Sequence, residues 1–210
     1  MNIQQAVLTK ALEWGYAKAL SGTGAFDSAY QLAEDFLNKT TSNEAAVERL
    51  ASWQVAKCAT SGFVTGLGGL LTLPVAIPAN ISSVLLIQLR MILSIAIIGG
   101  FDPRSEQVKS LAFVCLTGNV APAILKEIGI SSKQRVTKEA IQKISEAIIL
   151  KINYLVKVRL LTKTGRIGVI GFGKAIPLLG GMVGGAMDAF STQSVANAAR
   201  RLFIAPIARS

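Results

Sequence analysis

Apolar residues recur at helical spacing along most of the chain, and no stretch alternates regularly enough to read as a strand. Residues 2–20 place Leu8, Leu12 and Ala19 on one face with Gly15 between them, and Gly22 and Gly24 predict the end of that helix. Asp27 or Ser28 can cap a second, short helix to about residue 39, with Tyr30, Ala33, Phe36 and Leu37 on its apolar side. Thr41 with Glu44 three positions on has the form of a capping box, so a third helix is expected from there through Val47, Leu50, Val55 and Cys58. Trp53 on that helix reads as core or interfacial packing. Further on, Asp102-Pro103 followed by Ser105 and Glu106 predicts a helix over 103–117, Gly118 to Pro122 a break, and 131–137 a basic loop. Thr137 is expected to open one long helix to about residue 162. Its apolar stripe is Ile141, Ile144, Ile148, Ile152 and Leu155; Glu139, Lys143, Glu146, Asn153 and Lys157 mark the polar one. The pattern predicts an all-α, single-domain bundle of about seven to nine helices. Residues 1–40 are expected to pack as N-terminal helices on a continuous unit spanning 41–205.

Two stretches depart from this amphipathic pattern. From Cys58 to Leu89 there is no Asp, Glu, Lys or Arg. The run exceeds the roughly 20 apolar residues that a bilayer span needs. Yet Gly66, Gly68, Gly69, Pro74 and Pro78 interrupt it, and Asn80 and Gln88 are polar. A long helix is expected from Asn80 to the Gly99-Gly100 pair, with Arg90 its only charge, at its middle. A lone cation there either pairs inside a core or faces a polar cavity. The second stretch runs from Ile167 to Met187, where Lys174 is the only charge; after Pro177, Gly180/Gly184 and Gly181/Gly185 repeat a four-residue spacing that allows close helix contact. Both stretches are expected to form apolar hairpins hinged at Gly66, Gly68, Gly69, Pro74, Pro78, Pro177, Gly180 and Gly184. They read either as buried core or as hairpins able to enter a bilayer.

Composition sharpens the second possibility. Charged residues make up 16% of the chain, against about a quarter in ordinary soluble domains, while hydrophobic residues at 51% are near normal. The mean hydropathy of +0.48 leans toward membrane association. The opening segment carries Glu13, Lys10 and Lys18 on an amphipathic pattern, so no Sec signal peptide is expected, and a cytoplasmic or peripheral membrane location is. Insertion, or secretion by another route, is then conditional. Charge is uneven: residues 1–125 hold eight bases and eight acids, whereas 126–210 hold fourteen bases and four acids. Lys151, Lys157, Arg159, Lys163, Arg166 and Lys174 lie between Glu146 and Asp188 with no acid among them. Attraction to anionic phospholipid, worth about 1 kcal/mol per base at such a surface, is the expectation for this region. Nucleic acid is not expected, because few aromatics and no recognition motif accompany the bases.

Candidate chemistry removes more than it adds. The chain has no histidine, which eliminates the usual general base and metal ligand. Cys58 and Cys115 have no zinc spacing and read as buried thiols. Gly168, Gly171 and Gly173 suggest a dinucleotide loop at first glance, but Ile176 occupies the position of its last glycine and no strand precedes it. No catalytic, metal or cofactor site is expected.

Between Gly66 and Gly118 the chain resembles the EcsC family of bacterial proteins. The resemblance rests on Gly66-Leu67-Gly68-Gly69, Leu73-Pro74, Pro78-Ala79-Asn80, Gln88-Leu89-Arg90-Met91-Ile92, Ile95-Ala96, Gly100-Phe101-Asp102-Pro103 and Cys115-Leu116. Ile176-Pro177, Gly180, Gly184-Gly185 and Asp188 look like the family's closing motif, so the likeness covers roughly residues 45–203. One position departs: the family commonly carries an acid where this chain has Asn80, so Arg90 is expected to find Asp102, Asp188 or backbone carbonyls instead. Asn80, Gln88, Arg90, Asp102 and Asp188 form the expected polar core. The resemblance implies membrane association and a supporting role around transport or secretion, with a transporter, secretion or immunity protein as possible partner. It brings no catalytic residues. The expected function is a non-enzymatic, membrane-active protein that permeabilises as a toxin or effector does; a lipid-binding accessory module is the alternative, and a lipid-directed hydrolase the third.

Overall fold

One helix is buried on all its sides, and the others wrap it. In the computed structural model this is α4, Ala79–Ile98. Every residue of it from Leu86 to Ala96 is buried, including Gln88, Arg90 and Ser94. A helix that is apolar all round has no solvent face to present and must sit at the centre. The structure describes residues 3–24, 26–59, 79–131, 135–171 and 177–204; within residues 3–4, 59, 79–83, 162–171 and 177–188 it describes the backbone alone. The hinge residues Gly66, Gly68, Gly69, Pro74 and Pro78 therefore lie outside the described residues, as does Lys174.

Nine α-helices make up the described residues, with no strand among them: α1 Ile3–Ser21, α2 Ala29–Leu37, α3 Asn43–Ala59, α4, α5 Glu106–Leu116, α6 Ala121–Glu127, α7 Lys138–Gln142, α8 Glu146–Gly171 and α9 Pro177–Phe203. The protein is an all-α single domain. One apolar cluster joins Leu12 and Tyr16 of α1, Leu32 of α2, Leu50 of α3, Ile92 and Ile95 of α4, Leu111 of α5, Ile152 of α8 and Phe203 of α9. The first two helices thus contribute to the same core as the rest.

Direction matters more here than packing detail. Asn43 Nδ2, at the start of α3, donates to the Ile98 carbonyl at the end of α4 (3.0 Å), so α3 and α4 run antiparallel. Gln88 of α4 reaches Thr192 of α9 (3.1 Å), and Gly99 abuts the Phe203 carbonyl, so α9 runs parallel to α4. The end of α3 and the starts of α4 and α9 consequently lie at one pole of the bundle. The five residues 172–176 join α8 to α9 and span at most about 20 Å, which ties the end of α8 to the same pole.

Several boundaries differ from the sequence expectation for local reasons. The cap of α3 is Ser42, whose Oγ accepts from Ala45 N (3.2 Å), not Thr41. The third position from that cap is Ala45, so Glu44 has no reciprocal role. Ser105 caps α5, which starts at Glu106 and not at Pro103. The single helix expected from Thr137 is two. Thr137 caps α7 as expected, but the chain turns at 143–145 and Ser145 Oγ receives Ile148 N (3.4 Å) to start α8, which continues to Gly171. The turn lets both Ile141 and Ile144 bury. Asn153, assigned to the polar stripe, is half-buried with Oδ1 unpartnered among the described residues. The exposed face of α8 carries Leu150 and Tyr154, each 64% exposed, beside the exposed Glu146 of that stripe.

Two long-range ties fasten α1. Tyr16 Oη donates to the Pro103 carbonyl (2.5 Å), and Lys109 of α5 pairs with Glu13 (2.7 Å) and Glu106 (3.5 Å). Burial pulls the Lys109 ammonium down, but the hydrogen bond and charge of Glu13, helped by Glu106, outweigh it and raise its pKa. A base raised by its partner stabilises the fold fully below its ordinary value, about 10.4 for lysine, and loses that contribution as pH climbs through the folded value. The stability difference between the protein and Lys109→Met is therefore expected to stay constant from pH 7 to about 10 and to shrink above it, read from urea midpoints. A difference that grew above pH 10 would contradict the pairing. At Gly99 an added Cβ would collide with the Phe203 carbonyl, whereas at Gly24 it would meet nothing within 4 Å. Gly99→Ala is expected to lower the unfolding free energy by about 2 kcal/mol and Gly24→Ala to change it by less than about 0.5, measured by urea denaturation.

Candidate functional site

Arg90 stands at the middle of α4, 3% exposed. Its cover is the loop between α1 and α2. Thr23 and Phe26 bond each other's backbone (2.8 and 3.0 Å) across a tight turn that Gly22, at φ 77°, allows. The turn carries the Phe26 ring over the guanidinium, 4.7 Å from Cζ, and brings the Asp27 carbonyl within 3.3 Å of Nη1. Nη2 is buried and has no hydrogen-bond partner among the described residues. A guanidinium so poorly compensated resists carrying its charge. Burial lowers the Arg90 pKa to about 10, with the Asp27 charge acting in the opposite direction.

A second cation lies near the first. Burial and then the charge of Arg90 lower the pKa of Lys57 on α3, again opposed by Asp27. The Lys57 ammonium sits 3.4 Å above the Trp53 ring, and Trp53 in turn packs on Phe36 of α2 (5.8 Å). One turn before Lys57, Gln54 is fully buried with neither amide atom partnered among the described residues. Unpaired buried amide groups of this kind carry a penalty of about 1–3 kcal/mol. Across α4, Gln88 Nε2 donates to Thr192 Oγ1 (3.1 Å) and Ser191 Oγ (3.5 Å) of α9. Ser94 Oγ donates to the Ala29 carbonyl and the Arg90 carbonyl (both 2.9 Å), which locks α2 onto α4.

The sequence-derived polar core is therefore only partly assembled in space. Gln88 and Arg90 share the buried level of α4. Asp102 lies beyond the far end of that helix, is exposed, and accepts from Arg104 N (2.9 Å). Among the described residues no ion pair reaches Arg90, so Asp102 is not its partner. Asn80 and Asp188 stand on α4 and α9, where the backbone alone is described. The residues missed were Phe26, Asp27 and Lys57. A sequence signal existed for Lys57, which is the last charge before the uncharged run, but a backbone carbonyl offered by a loop 63 positions away leaves none.

The basic residues distribute along α8. Lys151 is exposed and donates to the Glu127 carbonyl (3.1 Å); Lys157 is half-buried and Arg159 exposed. Lys163 and Arg166 stand further along the same helix, toward the pole, and Pro177, Gly180 and Gly184 stand on the first turns of α9. Cys58 and Cys115 are both buried and not joined to each other; burial raises the Cys115 thiol. Among the described residues no three Cys, Asp or Glu side chains converge to hold a metal ion. No described helix is by itself long and apolar enough to cross a membrane.

The weak compensation of Arg90 has a measurable consequence. Removing a buried charge while keeping its volume is often neutral or stabilising. Arg90→Met is expected to leave the unfolding free energy unchanged or to raise it by up to about 2 kcal/mol, and Arg90→Ala to lower it by about 3 through the cavity it leaves. Urea titration of the two variants decides this. A loss of more than about 3 kcal/mol in the methionine variant would mean the charge itself holds the fold.

The family model of the EcsC protein family matches residues 5–204. The match begins well before residue 45 and takes in α1 and α2, in agreement with the single core they share with the other helices. No curated protein and no solved structure matches the chain. Spanning nearly the full chain, the match means that this protein belongs to the EcsC protein family.

Proposed function

We propose that this chain is a non-enzymatic, membrane-active protein that docks on anionic bilayers through the pole where its uncharged stretches attach. The observation that carries the reading is the shared pole. Residues 60–78 contain no charge and connect the end of α3 to the start of α4, and the uncharged first turns of α9 begin at the same pole as those two ends. Helix α8 leads its bases toward that same end, with Lys157, Arg159, Lys163 and Arg166 in succession. Apolar surface for the acyl region and positive charge for the headgroups are thereby brought to one side.

Docking and insertion are separable steps in this reading. Long-range attraction of the bases to anionic headgroups brings the pole to the surface, and it weakens with salt. Entry of the uncharged residues 60–78 then buries apolar surface and disturbs the bilayer. The central Arg90 and Gln88 keep α4 from behaving as an ordinary span, since both are expensive opposite lipid tails. Insertion is conditional on the surface and leaves the helical body outside.

Co-sedimentation with vesicles tests the docking step. Binding is expected to rise with the fraction of phosphatidylglycerol and to fall between 50 and 500 mM salt, which are on the order of the concentrations where screening shortens from over 10 Å to a few Å. Lys157→Gln with Arg159→Gln removes about 2 kcal/mol of attraction, so its apparent Kd is expected to rise roughly 30-fold. Release of a trapped dye accompanies binding if the uncharged residues enter the bilayer. Binding without release would favour a lipid-contacting accessory module, and absence of binding at every anionic content would sink the proposal.

A further inference from the structure

The two tryptophans of the chain and the most exposed phenylalanine among the described residues lie at a single level of the bundle. Trp53 comes ten positions after Asn43, which is level with Ile98, so it stands about 15 Å from the far end of α4. Phe190 comes thirteen positions before Phe203, which is level with Gly99, and stands about 20 Å from that end. These heights match Gln88 and Leu86 of α4. Trp14 adjoins Gly15, whose added Cβ would lie 2.9 Å from Leu89 and 3.6 Å from Leu85, so α1 places it at the same height. Trp53 is 39% and Phe190 71% exposed, and Trp14 is half-buried.

On α3, α4 and α9 this level is also where charge thins, whereas α1 carries Lys10 and Glu13 and α8 carries Lys163 and Arg166 toward the same pole. Beyond it toward the pole, α3 has only Lys57, α4 has no charged residue before Arg90, and α9 has none before Asp188. Below it the exposed surface of α2 and α3 carries acids and bases freely, among them Asp35, Glu48 and Arg49. Aromatic side chains with a long-stemmed lysine, between a charged body and an end that is poor in charge on α3, α4 and α9, match the chemistry of a lipid headgroup boundary. There an indole keeps its ring in the apolar layer and its N–H in the wet one, and a lysine extends its ammonium back to the phosphates. On the reading that the pole docks on anionic phospholipid, we infer that Trp14, Trp53 and Phe190 form a collar at the bilayer interface and set the depth to which the protein enters. Lys57, stacked on Trp53, supplies headgroup contact within the collar. Leu150 and Tyr154, near the start of α8 and away from the pole, are outside the collar, as are the less exposed Tyr30, Leu37 and Val120.

Tryptophan quenching in vesicles of phosphatidylglycerol and phosphatidylcholine tests this with the full chain. Trp14→Phe leaves Trp53 as the only indole, and Trp53→Phe leaves Trp14. Both indoles are expected to shift to shorter wavelength on binding and to be quenched more strongly by lipids brominated near the headgroup than by those brominated near the chain end. Phe190→Ala is expected to raise the apparent Kd roughly fivefold, the order of effect for removing one large side chain from an apolar layer. Leu150→Ala with Tyr154→Ala is expected to leave it unchanged. Vesicle binding with both indoles unquenched, or quenched most by chain-end bromines, overturns the collar and leaves the docking reading intact. A loss of binding in the Leu150/Tyr154 variant with none in Phe190→Ala moves the contact to α8 and also overturns it. Absence of binding at any anionic content overturns both.

Discussion

A cation in the middle of a helix that is buried on every side is the constraint on which this architecture turns. Arg90 can be neither exposed, because α4 has no exposed side there, nor ignored, because desolvating a guanidinium is expensive. Among the described residues the chain meets the demand cheaply in structure and poorly in energy: one backbone carbonyl, one aromatic face and a distant carboxylate, with Nη2 left over. The loop of residues 22–28 exists in its observed form to make that cover. Its tight Thr23–Phe26 turn and the Ser28 cap of α2 hold the Phe26 ring and the Asp27 carbonyl in place, and α2 is then locked onto α4 through Ser94.

The same helix organises polarity along the bundle. With α3 antiparallel and α9 parallel to α4, the uncharged portions of all three are brought to one pole and the charged portions to the other. Nothing local requires this. It follows from the order in which charge appears along each helix combined with the direction in which each is packed. At the boundary sit groups that are individually unfavourable in a core: Gln54 without partners among the described residues, Gln88 held by hydroxyls of α9, and two cations sharing one exposed carboxylate. Such a layer is a reservoir of unspent hydrogen bonding, and it lies where body and pole meet. The match to the EcsC protein family covers residues 5–204 and so takes in α1 and α2 together with the other helices.

Much of the fold was legible in the amino-acid order because helices declare themselves locally. The stripe of Leu12, Gly15 and Ala19, the stop at Gly99-Gly100, the caps at Ser28 and Thr137 and the uncharged runs all depend on residues within a few positions of one another. Local rules also explain the near misses. Thr41 and Ser42 are both competent caps, and only the path of the preceding turn selects Ser42. The stripe from Ile141 to Leu155 is consistent with one helix or with two, and burial of Ile144 favours the turn that lets Ser145 restart the chain.

The sequence by itself determined that Arg90 would be a lone charge in an apolar helix, and that bases would dominate the last third. It could not name what covers Arg90, since a main-chain carbonyl and a phenylalanine from 63 and 64 positions away leave no mark in composition or spacing. Asp102 was the nearest acid in the chain order and was excluded by the rise of the helix, which carries it past the end of α4. Nor could the order of residues show that Trp14, Trp53 and Phe190 share a height, because height depends on the direction and register of helices that meet only in the folded bundle. Helical propensity and charge placement act over single turns and are written in the chain; pairing, level and pole arise from packing across it, and only the tertiary structure decided them.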